Sequence, residues 1–101
     1  MPSKEVGLHE AALAEAQVAY DWYAAQDPTA ADAFIDELDD AIGQIEAFPN
    51  LGGPYTSGTR RYVMKRFPFT VIYREQGRII EIVAVAHGRR KPGYWKERIK
   101  N

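Results

Sequence analysis

The sequence has 101 residues, enough for one hydrophobic core and too few for two, so positions 1–101 read as a single domain. Hydrophobic residues are 46% and charged residues 27%, which excludes a disordered chain. The lack of cysteine excludes disulfide scaffolds, thiolate metal sites and cysteine nucleophiles. The net charge of −1 conceals an asymmetry: positions 1–50 hold eleven acidic residues and one basic (−10), positions 51–101 twelve basic and three acidic (+9). That separation suits a polyanionic or acidic partner approaching one side, and equally suits two solvated faces that neutralise each other. No apolar run approaches the ~20 residues of a membrane span, and Met1–Gly7 has no signal-peptide core, so a soluble cytoplasmic protein with no membrane partner is expected.

In chain order, Ser3–Leu8 is a candidate short strand at a sheet edge. Glu10 to Gln26 predicts a helix, with Leu13, Ala16, Tyr20 and Tyr23 on one face. A second apolar line, Ala11, Ala14, Val18 and Trp22, broadens that face and predicts a well-buried helix. Asp27 suits an N-cap and Pro28 the first turn of a second helix, in which Phe34, Leu38, Ala41, Ile42, Ile45 and Phe48 recur at helical spacing. Asp36, Asp39 and Asp40 take its opposite side, and Pro49 ends it. Asn50–Thr59, with Gly52, Gly53, Pro54 and Gly58, is a loop. Arg60–Phe67, Phe69–Arg74 and Arg78–His87 are rich in Val, Ile, Tyr and Phe, and their short connections force antiparallel neighbours. In the last of these, Ile80, Ile82, Ala84 and Ala86 share one face, assigned to the helices because the other carries Glu81 and His87. The tail Pro92–Asn101 holds Tyr94 and Trp95 and is a candidate short helix. The expected fold is α+β: a short N-terminal strand, an antiparallel two-helix hairpin on a three- to four-stranded antiparallel sheet, and a C-terminal helix or tail. Trp22, Tyr23, Phe34, Leu38, Ile45, Ile80 and Ile82 are its expected core.

Two sets of residues have chemistry to offer. His87 ends the last strand and is followed by Gly88, Arg89, Arg90, Lys91 and then Tyr94. A histidine, cations and a tyrosine together supply the base, phosphate clamp and acid that RNA cleavage needs. The plainer reading has His87 capping the strand while Tyr94 and Trp95 pin the tail. Arg60, Arg61, Lys65, Arg66 and Arg74 form the second set, suited either to phosphate contact or to keeping a sheet edge from aggregating. No metal or cofactor is expected: His9 has Leu13, not a ligand, at i+4, and no Gly-Lys-Ser/Thr follows Gly52-Gly53.

Four pieces then occur in order: Phe48-Pro49-Asn50-Leu51-Gly52, Gly58-Thr59-Arg60, Pro68-Phe69-Thr70-Val71-Ile72-Tyr73-Arg74, and Ile80-Glu81-Ile82 followed four residues on by Ala86-His87-Gly88-Arg89-Arg90-Lys91. In these pieces and their order the chain resembles the RelE/ParE superfamily, toxins of type II toxin–antitoxin modules, over nearly its whole length. The resemblance implies the fold already expected. It also implies one of two activities: ribosome-dependent mRNA cleavage, as in RelE-like members, or poisoning of DNA gyrase, as in ParE-like members.

Arg61 and Arg89 fall near positions basic in the nucleases, and Tyr94 near their catalytic tyrosine, so His87, Arg89, Tyr94 and Arg61 would be the catalytic set of a nuclease. Yet Thr70 stands where the RelE pattern has an arginine, and Val63 where a strand lysine would be sought. The Phe-Pro-x-Leu-Gly-x-Pro and Gly-Thr-Arg pieces are closer to ParE. The resemblance therefore implies a ParE-like gyrase inhibitor of a plasmid-stabilisation type, without chemistry of its own, neutralised by a ParD-like antitoxin. A ribosome-directed endonuclease is the alternative. Arg60, Arg61, Lys65, Arg74, Arg89, Arg90, Lys91, Tyr94 and Trp95 are the candidates for target or antitoxin contact.

Overall fold

The structure, a computed structural model, describes residues 4–99. Ser3, the expected start of the first strand, and positions 100–101, the expected end of the tail, lie outside the described residues. The chain runs β1 (Glu5–Leu8), α1 (Glu10–Gln26), α2 (Pro28–Ala47), β2 (Gly53–Pro54), β3 (Arg60–Val63), β4 (Phe69–Gln76) and β5 (Ile79–His87), with 3₁₀ turns at Thr56–Gly58 and Lys96–Ile99. The strands form one sheet in the order β1-β5-β4-β3-β2. It has five strands rather than three to four, and β1 pairs parallel with β5, from Glu5 opposite Ile79 to Leu8 opposite Ile82. The other pairings are antiparallel.

Capping residues set the helix limits where local chemistry predicts them. His9 Nδ1 accepts from Ala11 N–H and opens α1. Asp27 serves both helices: its N–H donates to Tyr23 O at the end of α1, and its carboxylate accepts from Thr29 N–H at the start of α2. One residue thus makes the hairpin turn. β3 is shorter than the expected Arg60–Phe67, because the Glu37 carboxylate on α2 accepts the N–H groups of Lys65 and Arg66 and draws the chain off the sheet.

The main core lies between the helices and one face of the sheet, where Phe34, Leu38 and Ile45 of α2 meet Val71, Tyr73, Ile80 and Ile82. Each such side chain contributes roughly 1.5–3 kcal/mol by leaving water. Helix α1 departs from expectation. It buries the narrow line Ala12, Ala16 and Ala19, with Tyr23 half-buried, and leaves Leu13, Val18 and Trp22 exposed; Trp22 is 60% accessible. An alanine-rich helix has apolar residues on nearly every side, so its sequence does not choose which side is covered.

The face assignment of β5 also needs correction. Tyr73 pairs with Ile82 but Ile72 pairs with Ala84, so Val83 has no residue opposite it. This β-bulge reverses the alternation beyond it. Val85 and His87 turn to the helix side, while Ala84 and Ala86 join Ile72 on the outer face. The outer face is covered by the C-terminal tail, with Trp95 at 2% exposure over Ile72, Val83 and Ala84.

At the β2 edge, Tyr73 holds the loop that carries the Phe-Pro-x-Leu-Gly piece. Its hydroxyl donates to Pro49 O and accepts from Gly52 N–H, each at 2.8 Å, and Arg60 donates to Gly52 O at 2.7 Å. A Cβ at position 52 would stand 2.7 Å from both Arg61 O and the Tyr73 hydroxyl, so only glycine fits.

Candidate functional site

The apolar line that α1 leaves uncovered becomes one wall of a groove. Val18 and Trp22 face Pro68, Phe69 and Val85 across a cleft of about 760 Å³, with Arg89 and Arg90 at its rim. The bulge at Val83 puts Val85 and His87 on this side. His87 packs edge-on against Phe69, 5.0 Å between ring centroids, and its Nδ1 accepts from Arg89 N–H at 3.0 Å. The histidine therefore orders the basic turn that follows β5.

Glu15 joins three elements at the end of this groove. From α1 its carboxylate accepts from Val85 N–H of β5, the Tyr94 hydroxyl, and two nitrogens of Arg98 at 2.9 Å each. The Glu15 and Arg98 side chains are each only 16% exposed. Burial alone would raise the Glu15 pKa; the hydrogen bonds from Arg98, Tyr94 and Val85 outweigh it and lower it. Tyr94 moves the other way, raised by burial and by donating to the anionic Glu15. Its proton is held toward the glutamate. Nothing in the local sequence marks Glu15, whose partners lie 70 to 83 positions away.

On the other side of the sheet, Arg61, Arg90 and Lys91 line a shallow pocket of about 150 Å³, floored by Ile72 and Trp95. The Arg61 guanidinium lies 4.8 Å over the Tyr55 ring, and that of Arg90 lies 3.9 Å over Tyr94.

The sequence profile of the ParE toxin of the type II toxin–antitoxin system parDE matches residues 6–92. The chain belongs to the ParE toxin family. Its fold is similar to that of a solved chain from the chromosomal ParDE toxin–antitoxin system of P. aeruginosa, with a TM-score of 0.74 and 20% identity. That likeness covers 84% of this chain and 96% of the other. No curated protein matches the chain in sequence. Among the described residues of this ParE-family toxin, no helix is long and apolar enough to cross a membrane.

The fold brings some of the expected contact residues together and disperses others. Arg61, Arg90, Lys91 and Tyr94 meet at the outer pocket, and Arg89, Arg90 and Tyr94 at the groove. Trp95, expected as a contact residue, instead turns from the tail onto the sheet and is buried against Ile72, Val83 and Ala84 at 2% exposure. Arg74 is paired with Glu81 at 2.9 Å, and Arg60 is spent on the Gly52 carbonyl. Lys65 sits in the β3–β4 connection beside Glu37. Of the residues a nuclease would use, Arg61, His87 and Tyr94 line the outer pocket while Arg89 lines the groove. The groove wall of Val18 and Trp22 was missed because both residues read as core; their sequence signal was an apolar line too broad for one buried stripe.

Proposed function

We propose that this ParE toxin acts on DNA gyrase as a binding poison and is held inactive by a ParD-like antitoxin. The groove between α1 and the end of β5 carries the reading. Val18 is 68% exposed and Trp22 is close to it, so this face asks for a cover, and Arg89 and Arg90 at the rim favour an acidic one. An amphipathic acidic helix, laid apolar side down, meets both demands. The similar fold of a chain from a ParDE system supports the same partner.

Action without chemistry is supported on the outer face. Val63 and Thr70 are paired neighbours there, so two positions at which the nuclease pattern has cations are neutral. The Tyr94 hydroxyl is engaged by Glu15, and burial together with its hydrogen bond to that carboxylate makes it a weaker acid. One observation favours the endonuclease alternative: Arg61, His87 and Tyr94 border one pocket. The His87 ring, however, lies against Phe69 on the helix side.

Purified toxin tested for inhibition of gyrase supercoiling and for mRNA cleavage on translating ribosomes separates the readings. Supercoiling is expected to be blocked and mRNA left intact; the reverse pattern would replace the gyrase reading with the endonuclease one. The antitoxin half is tested by co-expression with the neighbouring small reading frame. Val18→Asp is expected to abolish copurification while leaving the toxin folded.

A further inference from the structure

The turn that follows α2 presents two large apolar side chains to solvent. Leu51 N–H donates to Phe48 O at 2.9 Å, so Phe48 and Leu51 stand at the two ends of one tight turn. Phe48 is 66% exposed and Leu51 44%. The turn is held firmly: the Tyr73 hydroxyl bonds both Pro49 O and Gly52 N–H, and Arg60 donates to Gly52 O. Two apolar side chains on a pinned backbone form a knob that gives up little conformational freedom on docking. Helix α2, which leads into the turn, carries six acidic residues and no basic one. Among the described residues, only Glu37 of these six is paired with a cation.

The groove beside α1 is the reverse of this surface. It is an apolar cleft walled by Val18, Trp22, Pro68 and Phe69. Arg89 and Arg90 at its rim are exposed, with no carboxylate partner among the described residues. Phe48 and Leu51 are not part of its lining, so the turn fills such a groove only on another copy. We infer that the toxin, when no antitoxin is present, associates head to tail, the Phe48–Leu51 turn of one copy entering the groove of the next. Glu46 and the acidic face of α2 then meet Arg89 and Arg90 at the rim. One chain supplies both halves of the match: apolar knob for apolar cleft, acidic surround for basic rim. The contact joins two different surfaces, so each pair keeps a free turn at one end and a free groove at the other, and the assembly grows past a dimer. Two side chains cover less than the roughly 1,200 Å² of a stable specific interface, so the association is weak and concentration-dependent. It goes beyond the antitoxin reading and is measured on the toxin alone, so either can fail without the other.

Sedimentation velocity on the purified full chain tests the inference. The average mass is expected to rise with concentration and pass that of a dimer, and to fall toward the monomer as salt increases from about 0.05 to about 0.5 M. Phe48→Ser and Val18→Asp are each expected to weaken association about tenfold. Glu46→Lys is expected to weaken it in low salt only, where exposed charges are poorly screened. Ile79→Ser, at an exposed apolar position at the start of β5, is the control and is expected to change nothing. Thermal melts confirm that each variant is folded, and Leu51→Ser provides a second knob variant. The deciding experiment mixes two variants at a concentration where each alone is monomeric. Phe48→Ser keeps an intact groove and Val18→Asp an intact turn, so the mixture is expected to form one-to-one pairs. The inference is overturned if the wild type stays monomeric at all concentrations, including the case in which an acidic amphipathic peptide fills the groove instead. It is also overturned if the mass stops at a dimer and the mixture does not pair, which is the behaviour of two grooves meeting face to face. An equal loss in Ile79→Ser would overturn it as well.

Discussion

The two faces of the sheet are covered by different physics. On the inner face, two long helices bury Phe34, Leu38 and Ile45 against Val71, Tyr73 and Ile82, and apolar area does the work. On the outer face, a short tail covers Ile72, Val83 and Ala84 with one large ring, Trp95, and is tied down by the bonds that Tyr94 and Arg98 make to Glu15. Area stabilises without direction, whereas a polar tie acts only while each partner is present and correctly charged. The inner face is therefore expected to melt with the whole domain, and the tail to open on its own at lower cost.

The largest expected effect belongs to the inner face. Leu38→Ala and Ile82→Ala should each cost about 2–5 kcal/mol in urea unfolding, a large share of the stability of a domain this size. A loss below about 1 kcal/mol at both sites would mean that the helices do not carry the fold. Next comes the tie itself. Glu15→Ala strips Arg98, Tyr94 and Val85 N–H of their acceptor at once and should cost about 1–3 kcal/mol. The comparison predicts where that cost appears: hydrogen-exchange protection is lost at residues 92–99 while α2 keeps its own. Uniform loss across both faces would show that the tail is part of the global unit.

Acid provides a finer instrument. The folded pKa of Glu15 is depressed, so its contribution is fully present above the ordinary carboxylate range of about 4 and is lost as the pH falls through the lowered value. In a Trp22→Phe background, Trp95 emission should report the tail opening on acidification, and Glu15→Gln should remove that acid step. The smallest effect is expected for Tyr94→Phe. It removes one hydroxyl but leaves Glu15 bonded to Arg98 and Val85, at about 1 kcal/mol. Growth inhibition by this variant, at matched folded levels, should persist if the toxin is a binding poison. Its loss with stability intact would favour a catalytic hydroxyl.

Much of this was legible in the chain. The span Glu10–Gln26, the Asp27 cap, Pro28 and the arrest of α2 before Pro49 follow from rules that act within a turn or two of helix. The strand cores, the α+β class and the four sequence pieces that resemble the superfamily are equally local, and the family profile agrees with the last. Gly52 shows how such a piece acquires its cause: the sequence marks a glycine in a loop, and the fold shows the Tyr73 hydroxyl that leaves no room for a Cβ.

Tertiary structure alone decided the rest, because those features depend on pairings that no periodicity contains. A bulge at Val83 arises from how β5 registers on β4, and one unpaired residue sends His87 to the face opposite the one that strict alternation predicts. Trp22 is exposed because α1 offers apolar residues on several sides and the close-packing alanines take the sheet. Glu15 reads as one acid among many until β5 and the tail deliver Val85, Tyr94 and Arg98 to it. Arg61 and Arg90 become neighbours in the same way, from opposite ends of the strand half. Local sequence fixes elements through short-range capping and periodicity; sites built from distant residues exist only once the chain has closed on itself.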